Sequence, residues 1–231
     1  MDGPVPGPAA QRPRSPAARP LPVVVLADVS SSMGEWGKID VLNSCIAAMF
    51  RAFAEERAGQ ILVSVVTFGG SAAEVHLRPT PAAEARWTDM TASGVTPMDQ
   101  AFDVVRALLE DEDSIPRRAS RPCLILCSDG FPTGPDGRRS DAWEGALDRL
   151  LTSRRGGRAL RLAVSIGPDV TDEARAVLAA FVADPAYPVV NAEDAGRITQ
   201  FFEFATRTVT TRMAGGIEVP PFDPEQLADL L

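Results

Sequence analysis

The chain has 231 residues, 45% of them hydrophobic and 23% charged, with a formal net charge of −8 and a sequence pI of about 4.8. That is the composition of a globular protein with apolar material for a sizeable core, and an acidic surface repels phosphate backbones, which excludes nucleic acid as the natural partner. No apolar run approaches the ~20 residues that span a bilayer and residues 1–20 hold no apolar signal core, so the expectation is a cytoplasmic protein without a membrane partner.

Residues 1–20 carry six prolines and three arginines with almost nothing to bury, the pattern of a disordered leader. Leu21–Asp28 (LPVVVLAD) is an apolar run ending in a carboxylate, as in a strand buried on both faces. From Ile39 to Arg57, apolar residues at Ile39, Leu42, Ile46, Met49, Phe50 and Phe53 fall at helical steps. Gln60–Phe68 reads as a second strand and Ala73–Arg78 as a weak third at an edge. Pro97–Leu109 is helical, with proline suited to its first turn. Pro122–Asp129 (PCLILCSD) is another buried strand ending in a carboxylate. A helix (Asp141–Leu151), a strand (Ala159–Ile166), a helix (Asp172–Val182), a short strand (Tyr187–Val190) and a last helix (Ala192–Thr210) follow. Gly215, Gly216 and three later prolines leave residues 214–231 as a flexible tail, in which Pro224–Leu231 could form one or two amphipathic turns. Strands alternating with helices of these lengths predict right-handed crossovers and a three-layer α/β/α sandwich around a mostly parallel, six-stranded, Rossmann-like sheet.

Open sheets of this kind bind ligands at the carboxyl ends of their strands, where strand order reverses. Asp28 and Asp129 both end strands. In Asp28-Val29-Ser30-Ser31-Ser32, alternate residues face one side, so one loop presents a carboxylate and two hydroxyls to a single point. All-oxygen ligation suits a hard cation; Mg²⁺ takes six oxygens at about 2.0–2.1 Å and keeps several waters. Mg²⁺ or Mn²⁺ fits a site with two carboxylates better than Ca²⁺, which prefers more. The competing reading for Asp28, Ser30 and Ser32 is helix capping. For Thr96 it is capping of the helix that opens at Pro97, and for Asp129 a turn formed with Gly130.

These residues, with Met33 after Ser32, Gly94-Val95-Thr96-Pro97-Met98 and Ser128-Asp129-Gly130, resemble the three-part metal-ion-dependent adhesion site of von Willebrand factor A (VWA) domains. The match spans Leu21 to about Thr210. The resemblance implies that Ser30, Ser32 and Thr96 offer hydroxyl ligands, that Asp28 and Asp129 bind directly or through water, that residues 21–213 form the domain, and that the edge strand Ala73–Arg78 is antiparallel. It also implies a metal-dependent adaptor whose cation takes a partner's Asp or Glu. Phrases such as SVVTF and TASGVTPM look like the bacterial tellurite-resistance-associated branch, which implies a stress-response setting and a kinase, a phosphatase or another protein of that system as partner. Ser31 stands where glycine is commoner in that loop.

Trp36, just past the first loop, and Phe131, after Asp129, are candidate partner contacts. An Mg²⁺-dependent phosphohydrolase is the alternative of a different class, but the motif neighbourhood offers neither a histidine nor any lysine except Lys38, so no enzyme is expected. A metal-occupancy sensor acting through the last helix is a third reading. Cys45, Cys123 and Cys127 are expected as buried, reduced thiols. His76 and Trp87 are read as an exposed edge residue and loop packing, and Glu110–Asp113 with Arg154, Arg155, Arg158 and Arg161 as solvated charge.

Overall fold

The computed structural model describes residues 19–215. The expected leader up to residue 18, and the tail from residue 216 with its amphipathic turns, lie outside the described residues. Six strands form one sheet: β1 (Leu21–Asp28), β2 (Ile61–Gly69), β3 (Ala72–Pro81), β4 (Cys123–Ser128), β5 (Leu160–Ile166) and β6 (Val190–Ala192). Their order is β3-β2-β1-β4-β5-β6. All pairings are parallel except β2 with β3, which is antiparallel. The burial patterns explain this order. Every residue of β1 and β4 is buried, as interior strands of a covered sheet require, whereas β3 alternates between half-buried and exposed positions, as an edge does.

The helices are α1 (Lys38–Glu55), α2 (Met98–Glu110), α3 (Ala142–Thr152), α4 (Asp172–Val182) and α5 (Ala195–Met213). Chain order moves outward from β1 to β2 on one side and from β4 through β5 to β6 on the other, so right-handed crossovers put α1 and α3 on opposite faces. α5 packs on α1, and α2 packs on α3. Phe102 of α2 stacks on Phe181 of α4 at 5.7 Å. The expected three-layer arrangement is therefore present.

Several boundaries differ from expectation, two of them for a plain physical reason. The last strand is Val190–Ala192 rather than Tyr187–Val190, because Pro185 and Pro188 have no N–H for a ladder and Asp184 draws the chain into a turn, its carbonyl accepting from Tyr187 N at 3.1 Å. The last helix starts at Ala195 because the Asp194 carboxylate caps it, accepting from Arg197 N at 2.9 Å. The arginine cluster is also more than solvated charge. The Arg155 guanidinium donates to the carbonyls of Leu109, Ile115 and Pro116, and Arg161 donates to those of Phe181 and Gly156. Arg154 bridges Glu110 and Glu112. The three cysteines are free and buried, as expected. Burial pushes the Cys123 thiol up to about 12, so it stays protonated and inert.

Candidate metal centre

Strand order reverses between the parallel neighbours β1 and β4, and both strands deliver a carboxylate there. Asp28 is the last residue of β1, and Asp129 directly follows β4. The loop at Ser93 and Gly94 is bonded onto the Asp28 turn. Ser31 N donates to Gly94 O at 3.1 Å and Ser93 N to Val29 O at 2.7 Å. This stacking depends on missing side chains. Gly94 has φ +69, and a Cβ there would lie 2.1 Å from Gly70 O; a Cβ on Gly69 would lie 2.5 Å from Val29 O. Thr96 is two residues beyond that contact. Its N–H donates to Thr133 Oγ1 at 2.8 Å, and its carbonyl accepts from Thr133 N at 3.0 Å.

Within the centre, Asp28 is fully buried. Its Oδ1 accepts from Ser30 N at 2.8 Å and its Oδ2 from Ser128 Oγ at 2.5 Å. The Ser30 and Ser32 hydroxyls are 3.2 Å apart, and Ser32 donates on to Asp129 Oδ1 at 2.8 Å. Asp28, Ser30, Ser32 and Asp129 thus form one bonded chain from two loops that are a hundred residues apart in sequence. The other oxygen of Asp129 accepts from the Lys38 ammonium at 2.6 Å.

The charges are unevenly served. Burial, reinforced by the charge of Asp129, pushes the Asp28 carboxyl up to about 7 despite hydrogen bonds from Ser128 and Ser30 that oppose the rise. A fully buried carboxylate held this way favours a cation beside it. The donor set around it is hydroxyl and carboxylate oxygen. Among the described residues no group of three His, Cys, Asp or Glu side chains is placed to hold a metal ion, so the donors at this point are two carboxylates and neutral hydroxyls rather than thiolate or imidazole. The residues present fit a hard divalent cation.

Residues 23–131 match the sequence model of a family described as von Willebrand factor type A domain. The fold is that of a VWA domain. No curated protein matches the chain in sequence. Among solved structures, the VWA fold is shared with pilus adhesin SpaC from Lactobacillus rhamnosus GG (TM-score 0.68, 14% identity, 84% of this chain and 30% of that one). It is shared with the vWF domain of the type V pili tip protein Mfa5 from Porphyromonas gingivalis (0.65, 12%, 88% and 99%). It is also shared with proximal thread matrix protein 1 from the mussel byssus, in a form with a zinc-occupied MIDAS motif (0.58, 17%, 84% and 46%). The chain spans less than half of SpaC and of the byssus protein.

Four of the five expected ligands are therefore linked by hydrogen bonds or share the Asp28–Asp129 pair, while Thr96 is held on the adjoining loop. The capping alternatives are not realised. Ser30 makes no side-chain cap to the 3₁₀ turn Ser31–Gly37, and α2 is preceded by Pro97 with no side-chain cap from Thr96. Ser31 has no positive φ, so serine fits where the VWA loop commonly has glycine. Trp36 is 86% exposed, whereas Phe131 packs half-buried on the core with the Arg139 guanidinium 4.9 Å above its ring. Trp87 contacts Phe50 and His76, and His76, exposed as expected, has its Nε2 2.7 Å from Thr88 O. The residues missed from sequence are Ser128, whose hydroxyl clamps Asp28, and Lys38. The first could have been read from its place beside Asp129, one residue short of a strand end. The second stood in plain sight as the sole lysine near the motif.

Proposed function

We propose that this VWA domain holds one divalent cation, Mg²⁺ by the hardness of its donors, at Asp28, Ser30, Ser32, Thr96 and Asp129, and binds a carboxylate of a partner protein through it. The supporting observation is the buried Asp28 carboxyl, held by Ser128 and by the Ser30 N–H and linked through the Ser30 and Ser32 hydroxyls to a second carboxylate, Asp129. When bound, the cation would supply positive charge and an exchangeable water position for an incoming acid. The chain's own residues do the rest. Ser128 and Ser30 fix both oxygens of Asp28, Ser32 aligns Asp129, and Gly94 lets the Thr96 loop close over the first loop.

Mostly neutral hydroxyl ligands leave charge on the ion, and its nearby field outweighs the distant net charge of −8, which is screened beyond about 8–10 Å at ordinary salt. Trp36, four residues after Ser32 and exposed, offers a rigid apolar contact for the partner. We read the centre as binding rather than catalytic: Asp28 is fully buried and held by Ser30 and Ser128, and Asp129 is held by Ser32 and Lys38, so both carboxylates already carry donors. A cytoplasmic stress-response setting with kinase or phosphatase partners rests on the sequence resemblance alone. No helix among the described residues is long and apolar enough to cross a membrane.

The test is capture of native partners on the immobilised chain in Mg²⁺ and in EDTA, alongside Trp36→Ala. Loss of specific partners in EDTA and weakened capture by Trp36→Ala are expected; the same partners in both buffers contradict the proposal.

A further inference from the structure

We infer that Lys38 is a built-in counter-cation of this centre, one that lowers its affinity for a divalent ion and leaves the loaded site with net positive charge for an acidic partner. The inference rests on the metal-binding reading above and concerns how that site is tuned.

Lys38 is the first residue of α1, an unfavourable place for a cation because the positive end of the helix dipole lies there. Something else must favour it. Its ammonium is 2.6 Å from Asp129 Oδ2, with side-chain exposures of only 14% for Lys38 and 2% for Asp129. By contrast, the ion pair of Arg138 with Asp136 is 87% and 65% exposed, the kind that contributes little. Two successive left-handed residues, Trp36 at φ 58 and Gly37 at φ 69, turn the chain immediately before Lys38. On the far side, its stem lies against Gly167, where a Cβ would come within 3.5 Å of the Lys38 Cδ and 3.7 Å of its Nζ. The lysine is therefore held from three directions: the α1 start, Asp129 and the turn after β5.

Charge counting gives the consequence. Asp28 and Asp129 together contribute −2 when ionised, and a divalent ion alone would bring the centre to neutrality. With Lys38 in place the centre starts at −1 and ends at +1. A like charge beside the bound ion weakens its binding, while a partner carboxylate meets a positive centre instead of a neutral one. Without a divalent ion, the same ammonium pairs Asp129 and limits its repulsion of Asp28, so the loops stay assembled.

The test uses the full chain, stripped with EDTA and dialysed. Lys38→Met keeps the aliphatic stem and removes the charge. MgCl₂ and MnCl₂ are titrated calorimetrically into both proteins, and acetate is titrated into each at saturating Mg²⁺ with NMR detection. Lys38→Met is expected to bind the divalent ion about tenfold tighter, to bind acetate more weakly, and to melt at a lower temperature without metal. Unchanged or weaker ion affinity in a folded Lys38→Met protein overturns the inference, as does unchanged acetate affinity. If that variant does not fold without metal, Lys38→Gln carries the same comparison. Binding in neither wild type nor variant removes the metal-centre reading itself, a result distinct from equal binding in both.

Discussion

Two polar clusters occupy opposite ends of the strands. At the amino ends, Arg155 donates to three carbonyls of Leu109, Ile115 and Pro116, while its own N–H donates to Glu110 Oε1 at 2.8 Å. At the carboxyl ends, Asp28 and Asp129 share two hydroxyls, one backbone N–H of Ser30, and one ammonium. In the first, donors and fixed backbone acceptors are matched, and nothing is left for a ligand. In the second, acceptors are in excess, and burial raises the Asp28 carboxyl to about 7. A cluster that holds the fold together closes its hydrogen bonds, whereas one that binds keeps a deficit that only an added cation makes good.

The sharpest way to break that comparison is at the arginine. Arg155→Ala leaves three carbonyls short of a donor, and a loss of about 3 kcal/mol in urea unfolding is expected, with Mg²⁺ affinity unchanged because no bond joins the two clusters. A large change in ion affinity would show that they are coupled after all.

A smaller effect separates them by pH. Unfolded, Asp28 ionises near its ordinary 3.8; folded and metal-free, it ionises at about 7. A raised carboxyl contributes its stability below the unfolded value and loses it as pH rises through the folded one. The metal-free protein is therefore expected to lose stability between about pH 4 and 7 on account of this group, and a bound cation cancels the loss by favouring the ionised form. The melting temperature should rise more on adding Mg²⁺ at pH 8 than at pH 6, read by calorimetry. A larger rise at pH 6 would contradict the assignment of Asp28.

Much of the carboxylate cluster was legible from sequence because it obeys local rules. LPVVVLAD and PCLILCSD announce buried strands that end in carboxylates, and the two-residue period from Asp28 to Ser32 brings side chains to one point. The Ser30 and Ser32 hydroxyls do meet, at 3.2 Å. Lys38 was less legible. Its partner is 91 residues away, and it reaches Asp129 only because Trp36 and Gly37 take left-handed conformations, which for tryptophan no propensity suggests. Arg155 is the same case in a loop: charge in a turn reads as solvated until the carbonyls of two other segments are seen converging on it. The Tyr187–Val190 expectation failed on prolines whose missing N–H groups were given too little weight beside the apolar residues. The left-handed Gly94, by contrast, sits inside the motif that first drew notice to Thr96.

The central claim is that oxygens from separate loops hold a divalent cation around Asp28. Titrating MgCl₂ into the wild-type chain and into Asp28→Ala, with folding of both checked by circular dichroism, tests it directly. One binding site per chain in the wild type and none in the variant is the predicted result. Equal Mg²⁺ affinity in the two proteins would contradict it.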